Sequence, residues 1–403
     1  MRKDCWIRGE GPLVPFAEGF RDWMLGLGHP RSSLKHYLVL MGQFNRWLVT
    51  EGIELEALTP GAAERFLRDR QAAGYAKTLT LASLEPMFEH LRQKGALTPA
   101  PPPEPTAREK LLNGYRRHLV HDRGLTVTTV RRYEGFARRF LTERAARTGS
   151  ETGVEGLTSA EVNSFMLEAA SRLVVDSAKR EAADLRALLR YLYLADVLEI
   201  DLGAAMPPVA AWRGRSLPQT MSAADVDRLL AGCDRTTVSG RRDLSVLVLL
   251  ARLGLRSGEV AALELDDVDW RAGEIVVRGK ARRKDRLPLP EEVGETLVNY
   301  LRGGRPSCAC RRLILSLYAP PRPICPSTVT SIVYRACDNA GIARIGGHRL
   351  RHALATEMLR HGGDLLEIAQ VLRQSDLGTT AGYAKVDRAA LQSVARPWPG
   401  ARP

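Results

Sequence analysis

Apolar residues recur three and four apart along most of this chain and alternate in only one short stretch. From about Pro15 to Lys94, Phe16, Phe20, Trp23 and Met24 form one stripe and Tyr37, Met41, Phe44 and Leu48 another, a spacing that predicts packed amphipathic helices. The PAPPPEP run at 99–105 cannot continue a helix and reads as a stiff connector. Helical spacing then returns and repeats itself. Ser33-Leu34-Lys35-His36-Tyr37 with Phe44 beyond is matched by Thr129-Val130-Arg131-Arg132-Tyr133 with Phe140 beyond. Leu58-Thr59 followed by Phe66 is matched by Leu157-Thr158 followed by Phe165. Two tandem helical modules of similar build are therefore expected. The plainer alternative is that amphipathic helices of equal length resemble one another.

A second connector at 203–220 holds Pro207, Pro208 and Pro218 with the pair Arg213 and Arg215. Ser222 is placed to cap a new helix, and from there the pattern becomes mixed. Leu244 to Leu253 is an apolar helix ended by Gly254, and Ser257 is expected to cap the next helix, leaving Arg256 on the turn before it. Glu274 to Arg278 and Asp285 to Leu289 read as two strands of a hairpin, with Lys280 near its tip. Helices are expected from Pro290, from Ser327, from His348 to the glycines at 362–363, and from Asp364 to about Leu372. Ser375, Asp376, Gly378 and two threonines then break the pattern ahead of Tyr383, and Asp387 to Val394 can form a last short helix.

The expected fold class is multidomain and mainly α: two all-helical N-terminal modules, then an α+β domain with a small hairpin or sheet. The divisions fall at 1–98 for the first module, 99–106 for a linker, 107–202 for the second module, 203–220 for a linker, and 221–403 for the last domain with its C-terminal tail.

Charge narrows the function. Of the 403 residues, 59 are Lys or Arg and 46 are Asp or Glu, a formal net charge of +13 that favours an anionic partner, nucleic acid first. Arginine predominates, which suits forked contacts to phosphate, although a GC-rich genome gives the same bias. Thr129 to Arg144 carries Arg131, Arg132, Arg138, Arg139 and Arg144, and Ser32 to Trp47 carries Lys35, His36 and Arg46. Such helices suggest phosphate contacts, against the ordinary reading of a solvated face. No apolar run reaches the length of a membrane span, and the N-terminus lacks a signal peptide's apolar core, so no membrane partner is expected. Six cysteines without a disulfide-framework spacing point to a reducing cytoplasm. Cys308, Cys310, Cys325 and Cys337 have the wrong spacing for a zinc ribbon or finger, and no metal or other cofactor is expected.

In HRLRH, His348 and Arg351 are three apart and share a helix face. A tyrosine near them is a plausible nucleophile even though a phenol's ordinary pKa is about 10. Arg256 in LGLRSGE, Lys280 in RGKARRKDR, HRLRH, and Tyr383 after SDLGTTAG, taken in this order, resemble the motifs of the tyrosine recombinases, or phage integrases. The resemblance is strong from about Asp225 to Val386, weaker for 107–202 as a core-binding domain, and leaves residues 1 to about 100 outside the usual plan. It implies that Tyr383 attacks a DNA phosphodiester to give a 3′-phosphotyrosyl intermediate, with Arg256 and Arg351 clamping the non-bridging oxygens. It further implies that Lys280 protonates the leaving 5′-oxygen, that His348 assists the tyrosine proton, and that Glu259 supports Arg256. Fixed guanidinium forks stabilise such a transition state without a metal ion, consistent with the lack of a GxxxxGK[ST] loop or clustered carboxylates.

Two positions depart from the family pattern. Gln374 stands where His or Trp is usual, and Arg373 where glycine is common. Glutamine can still donate an amide hydrogen bond but cannot act as a cation or an acid. His352, beside Arg351, reads as a structural helix residue. DNA contacts are expected from Arg131, Arg132, Arg138, Arg139, Arg213, Arg215, Arg282 and Arg283. The implied partner is double-stranded DNA, held by a homo- or hetero-tetramer that can include partner recombinases. The mobile-element chemistry of integration, excision or transposition is the leading expectation. A catalytically weak DNA-binding partner and a supercoil-relaxing topoisomerase are the alternatives.

Overall fold

The structure, a computed structural model, describes residues 10–75, 79–97, 104–204, 206, 221–279 and 284–374. Lys280, Tyr383, Arg213, Arg215, Arg282, Arg283 and the expected helix after Asp387 lie outside the described residues. The chain divides into two compact units, Met1–Pro99 with Ser216–Pro403, and Ala100–Arg215.

The first helices are α1 (Ala17–Gly26), α2 (Arg31–Glu51), α3 (Pro60–Ala72) and α4 (Leu81–Gln93). Their core is built from the predicted stripes: Phe20, Met24, Met41, Phe44 and Leu48 are buried, with Phe16, Trp23 and Tyr37 packed at its edge. The unit at 100–215 contains α5 (Ala107–Arg117), α6 (Val127–Thr148), α7 (Ser159–Arg172) and α8 (Val175–Leu194) around Tyr115, Phe140, Leu185 and Leu189.

The repeated residues take equivalent places in both sets of helices. Thr59 and Thr158 are the N-caps of α3 and α7, and their hydroxyls accept from Ala62 and Glu161 N–H at 3.3 Å each. The Phe44 and Phe66 rings lie 4.8 Å apart, and the Phe140 and Phe165 rings 5.0 Å apart. Each such ring contributes about 1.5–3 kcal/mol when fully buried, so a long helix tied to the next by a phenylalanine pair is a sound repeated unit.

The remaining elements surround α10 (Val238–Ala251), buried at every position from Leu244 to Ala251. It follows α9 (Ala223–Ala231) and precedes α11 (Ser257–Ala262). Strands β1 (Val268–Asp269), β2 (Glu274–Arg278) and β3 (Lys284–Pro288) form an antiparallel sheet in that order. Ile275 pairs with Leu287 and Val277 with Asp285, so Ile275, Val277 and Leu287 join the core while their neighbours face outward. The return strand starts one residue earlier than the sequence suggested, because Lys284 still pairs with Arg278. β1 is too short to show an alternating pattern and was not anticipated. Helices α12 (Glu291–Gly303), α13 (Pro326–Asn339), α14 (Gly347–Arg360) and α15 (Leu365–Val371) complete the described fold.

Candidate active site

Three chain segments converge here: the turn between α10 and α11, the start of α14, and the end of α15. Gly254 has φ +58°, and a Cβ there would sit 2.7 Å from a Leu372 methyl and 3.0 Å from one of Leu354. A bare backbone is therefore required where α10 passes α14 and α15.

Arg256, not Ser257, is the N-cap of α11, with extended backbone angles. The reason is Glu259, the third helical residue, whose Oε2 accepts the Arg256 backbone N–H at 2.8 Å. Glu259 Oε1 also accepts from Arg256 Nη1 at 2.6 Å. Arg256 thus keeps its side chain 43% exposed while Glu259 is buried beneath it. Burial pushes the Glu259 pKa up, but the Arg256 backbone N–H and the guanidiniums of Arg373 and Arg256 outweigh it and hold the carboxylate below its ordinary range.

From α14, Arg351 is fully buried and donates from Nη1 to the Gly254 carbonyl and from Nη2 to the Leu372 carbonyl. It ties the α10–α11 turn to the end of α15. One turn earlier, His348 reaches the surface and meets His352 edge to face, the ring centroids 4.4 Å apart. Desolvation of its inner face lowers the His348 pKa, and Arg351, Arg256 and Arg349 lower it further, so the imidazole is neutral at pH 7. Desolvation and then His348 take His352 to about 4.

The end of α15 brings in the two departures. Asp364 caps the helix, Arg373 N–H donates to the Gln370 carbonyl (3.0 Å), and Gln374 N–H to that of Ala369 (2.9 Å). This is the Schellman pattern, and its left-handed position is taken by Arg373 at φ +53°. Gln374 follows, half-buried. The Arg373 side chain, 4% exposed, donates from Nη2 to Glu259 Oε2 at 3.0 Å, and the Arg373 carbonyl accepts from Arg256 Nη2 at 3.5 Å. Sequence reading noted Arg373 as an exception but missed its partner. The available signal was an arginine at a helix C-terminal position that ordinarily demands glycine.

The structure therefore assembles Arg256, Glu259, His348, Arg351 and Gln374 in one place, and adds Arg373. Lys280, Tyr383, Arg282 and Arg283 lie outside the described residues. The arginines expected to meet DNA from α6 are mostly engaged within their own unit. Arg132 pairs with Asp184, Arg138 with Glu109 and Glu134, and Arg139 with Glu181, each about half exposed, while Arg131 is exposed. Arg144 is not part of a solvated or DNA-facing stripe: it is buried and donates to the carbonyls of Gly153 (3.0 Å) and Glu155 (2.9 Å) and to Glu161 (3.0 Å). Its position on the inner side of α6 decides this. Among the described residues no group of three or more His, Cys, Asp or Glu is placed to hold a metal ion.

Comparison with known proteins gives four findings. The Phage integrase family pattern matches residues 219–389. The y4rA protein of Sinorhizobium fredii, described as an integrase/recombinase, is 39% identical over 396 residues, covering 97% of this chain and 96% of that protein. The tyrosine recombinase XerD of Pseudomonas putida is 35% identical over 224 residues, 54% of this chain and 74% of that one. Among solved structures, the XerH site-specific recombinase bound to its palindromic difH substrate in a post-cleavage complex has a similar fold, with TM-score 0.52 at 18% identity over 72% of this chain and 96% of that one. The similarity to y4rA runs through the first helices as well as the last domain.

Proposed function

The chain belongs to the phage integrase family, the tyrosine recombinases, whose members cleave and rejoin DNA, and from that premise we propose that it is a site-specific DNA recombinase working through a 3′-phosphotyrosyl intermediate. The observation that carries the reading is the convergence of Arg256, its supporting Glu259, His348 and Arg351 from separate helices on one place.

In the proposed reaction the Tyr383 oxygen attacks the scissile phosphorus and its proton passes to neutral His348. The bond from phosphorus to the 5′-oxygen breaks, and Lys280 supplies that oxygen's proton. Arg256 is the open half of the clamp. Arg351, buried on two carbonyls, gives one of them up when DNA enters, so that a guanidinium N–H reaches a non-bridging oxygen. The phosphotyrosine conserves the energy of the broken bond, so a second 5′-hydroxyl can religate it without nucleotide hydrolysis. Strand exchange between two duplexes calls for four active sites, hence a tetramer on DNA, serving integration, excision or transposition of a mobile element. Residues 107–202 serve as the core-binding domain, and 1–98 as a second module of like build that contacts DNA or a partner recombinase. Footprinting after removal of residues 1–106 decides between these: an unchanged footprint excludes the DNA role.

The test begins with a duplex selected by the protein from a random-sequence pool, rebuilt with a nick beside each candidate scissile phosphate. The wild type is expected to form an adduct that survives denaturation, and Tyr383→Phe to form none. A wild type that binds its duplex but never couples to it overturns the reading. An adduct with Tyr383→Phe overturns the choice of nucleophile.

Gln374, a neutral side chain where the family usually has His or Trp, supports a second reading, a DNA-binding partner with weak or no catalysis. Cleavage by Gln374→His where the wild type is inert would favour it.

A further inference from the structure

We propose that Arg373 is a positioning residue of the phosphate clamp, engaging Glu259 Oε2 so that the carboxylate does not draw the whole Arg256 fork onto itself; this rests on the recombinase reading above. Its placement is unusual for a structural residue. Arg373 occupies the left-handed position of a Schellman turn at φ +53°, where any residue with a Cβ is disfavoured by about 1–2 kcal/mol and glycine by nothing. The turn itself does not need the side chain, since its two closing hydrogen bonds come from the backbone of residues 373 and 374.

The side chain instead runs inward. Its Nη2 reaches Glu259 Oε2 at 3.0 Å, its Nη1 reaches the Val371 carbonyl at 3.1 Å, and both partners of that ion pair are almost wholly buried, at 4% and 7% exposure. Glu259 therefore divides one negative charge between two guanidiniums. With Arg256 as its only cationic partner, the carboxylate would draw both ends of the Arg256 fork onto itself, the geometry that arginine and carboxylate prefer. With Arg373 occupying Oε2, Arg256 contributes only Nη1 and its backbone N–H to Glu259, and Nη2 extends to the Arg373 carbonyl. The same contacts fix the residue before Gln374. The Arg373 side chain thus limits how Glu259 holds the Arg256 fork, while the Arg373 carbonyl takes the second fork nitrogen.

Three full-length proteins are compared on the selected nicked duplex: wild type, Arg373→Gly and Arg373→Lys. Glycine relieves the turn but leaves buried Glu259 with one guanidinium fewer, so Arg373→Gly is expected to melt below wild type and, assayed well below that transition, to bind the duplex about as wild type does. Its single-turnover cleavage is expected to fall by about 10–100-fold, the usual effect of removing a residue that orients a reacting group. Arg373→Lys, which keeps the cation, recovers part of that loss. Cleavage by Arg373→Gly at the wild-type rate overturns the proposal. Parallel loss of melting temperature, binding and cleavage in Arg373→Gly, with no recovery in Arg373→Lys, reduces Arg373 to a structural role and also overturns it. No adduct with the wild type itself removes the recombinase reading, and the positioning role with it. An adduct from the wild type and an equal one from Arg373→Gly removes the positioning role alone.

Discussion

Around His348 burial and the neighbouring arginines keep the imidazole neutral, which leaves it free to take a proton but weakens it as a base. His352 shows the same effect more strongly, with its pKa taken to about 4 by burial and by His348. The unfolded chain binds a proton at each of these histidines near the ordinary value of about 6.5, whereas the folded chain binds it only at lower pH. Their contribution to stability is therefore complete above about 6.5 and is lost as pH falls toward the folded values. Between pH 6.5 and 5 most carboxylates stay ionised, so the histidines dominate this window. We predict that melting temperature falls across it, and that His352→Gln removes part of the fall, on the order of 1–2 kcal/mol at pH 5; an unchanged slope would refute the assignment. His348 and Arg351 could be picked from the sequence because their spacing of three places them on one helix face. That Arg351 spends its fork on two backbone carbonyls could not, because those carbonyls belong to residues 254 and 372.

The basic helix α6 shows how an element divides labour among residues of one type. Arg131 is exposed, Arg132, Arg138 and Arg139 meet carboxylates from α5, α8 and α6 itself, and Arg144 is buried against the loop before α7. Truncating a buried arginine strands carbonyls and a carboxylate without their donor. Arg144→Ala is expected to cost about 3–5 kcal/mol in urea unfolding, against about 0.5 kcal/mol or less for Arg131→Ala. A loss at Arg144 similar to that at Arg131 would show that the buried contacts contribute little. The helix and its basic character were legible in the sequence, although it runs Val127–Thr148 and so extends past the expected Thr129 to Arg144 at both ends. The assignment of each arginine was not, since it depends on where Glu109, Glu181 and Asp184 arrive from other helices.

Across the whole molecule the positive charge is unevenly spread. Residues 1–98 hold 13 Lys or Arg against 11 Asp or Glu, 107–202 hold 16 against 14, and 221–403 hold 28 against 20. The connector at 203–220 adds Arg213 and Arg215 with no acidic residue. Long-range attraction to a phosphate backbone is therefore expected mainly from the last domain and the connector. Binding to the selected duplex is expected to weaken by about 10³–10⁵ between 50 and 200 mM salt if 6–10 phosphates are contacted. Replacing both Arg213 and Arg215 by alanine should reduce the slope of log affinity against log salt by about 2, measured by titration at several salt concentrations. A slope unchanged in that variant would remove the connector from the interface.

The sequence by itself determined the helices, the hairpin, the repeat and the motif order, because periodicity, caps and turn residues act over a few neighbours. It also supplied Arg256, His348 and Arg351 as a set, through a family pattern that is itself a pattern in sequence. Only the tertiary structure decided that Glu259 serves two arginines, that Arg351 locks the end of α15 to the turn before α11, and that Arg144 is internal. Each of these joins residues far apart in the chain, 114 positions in the case of Arg373 and Glu259. Ion pairs and backbone anchors of that kind depend on where packing of the core brings the elements, and local spacing carries no record of it.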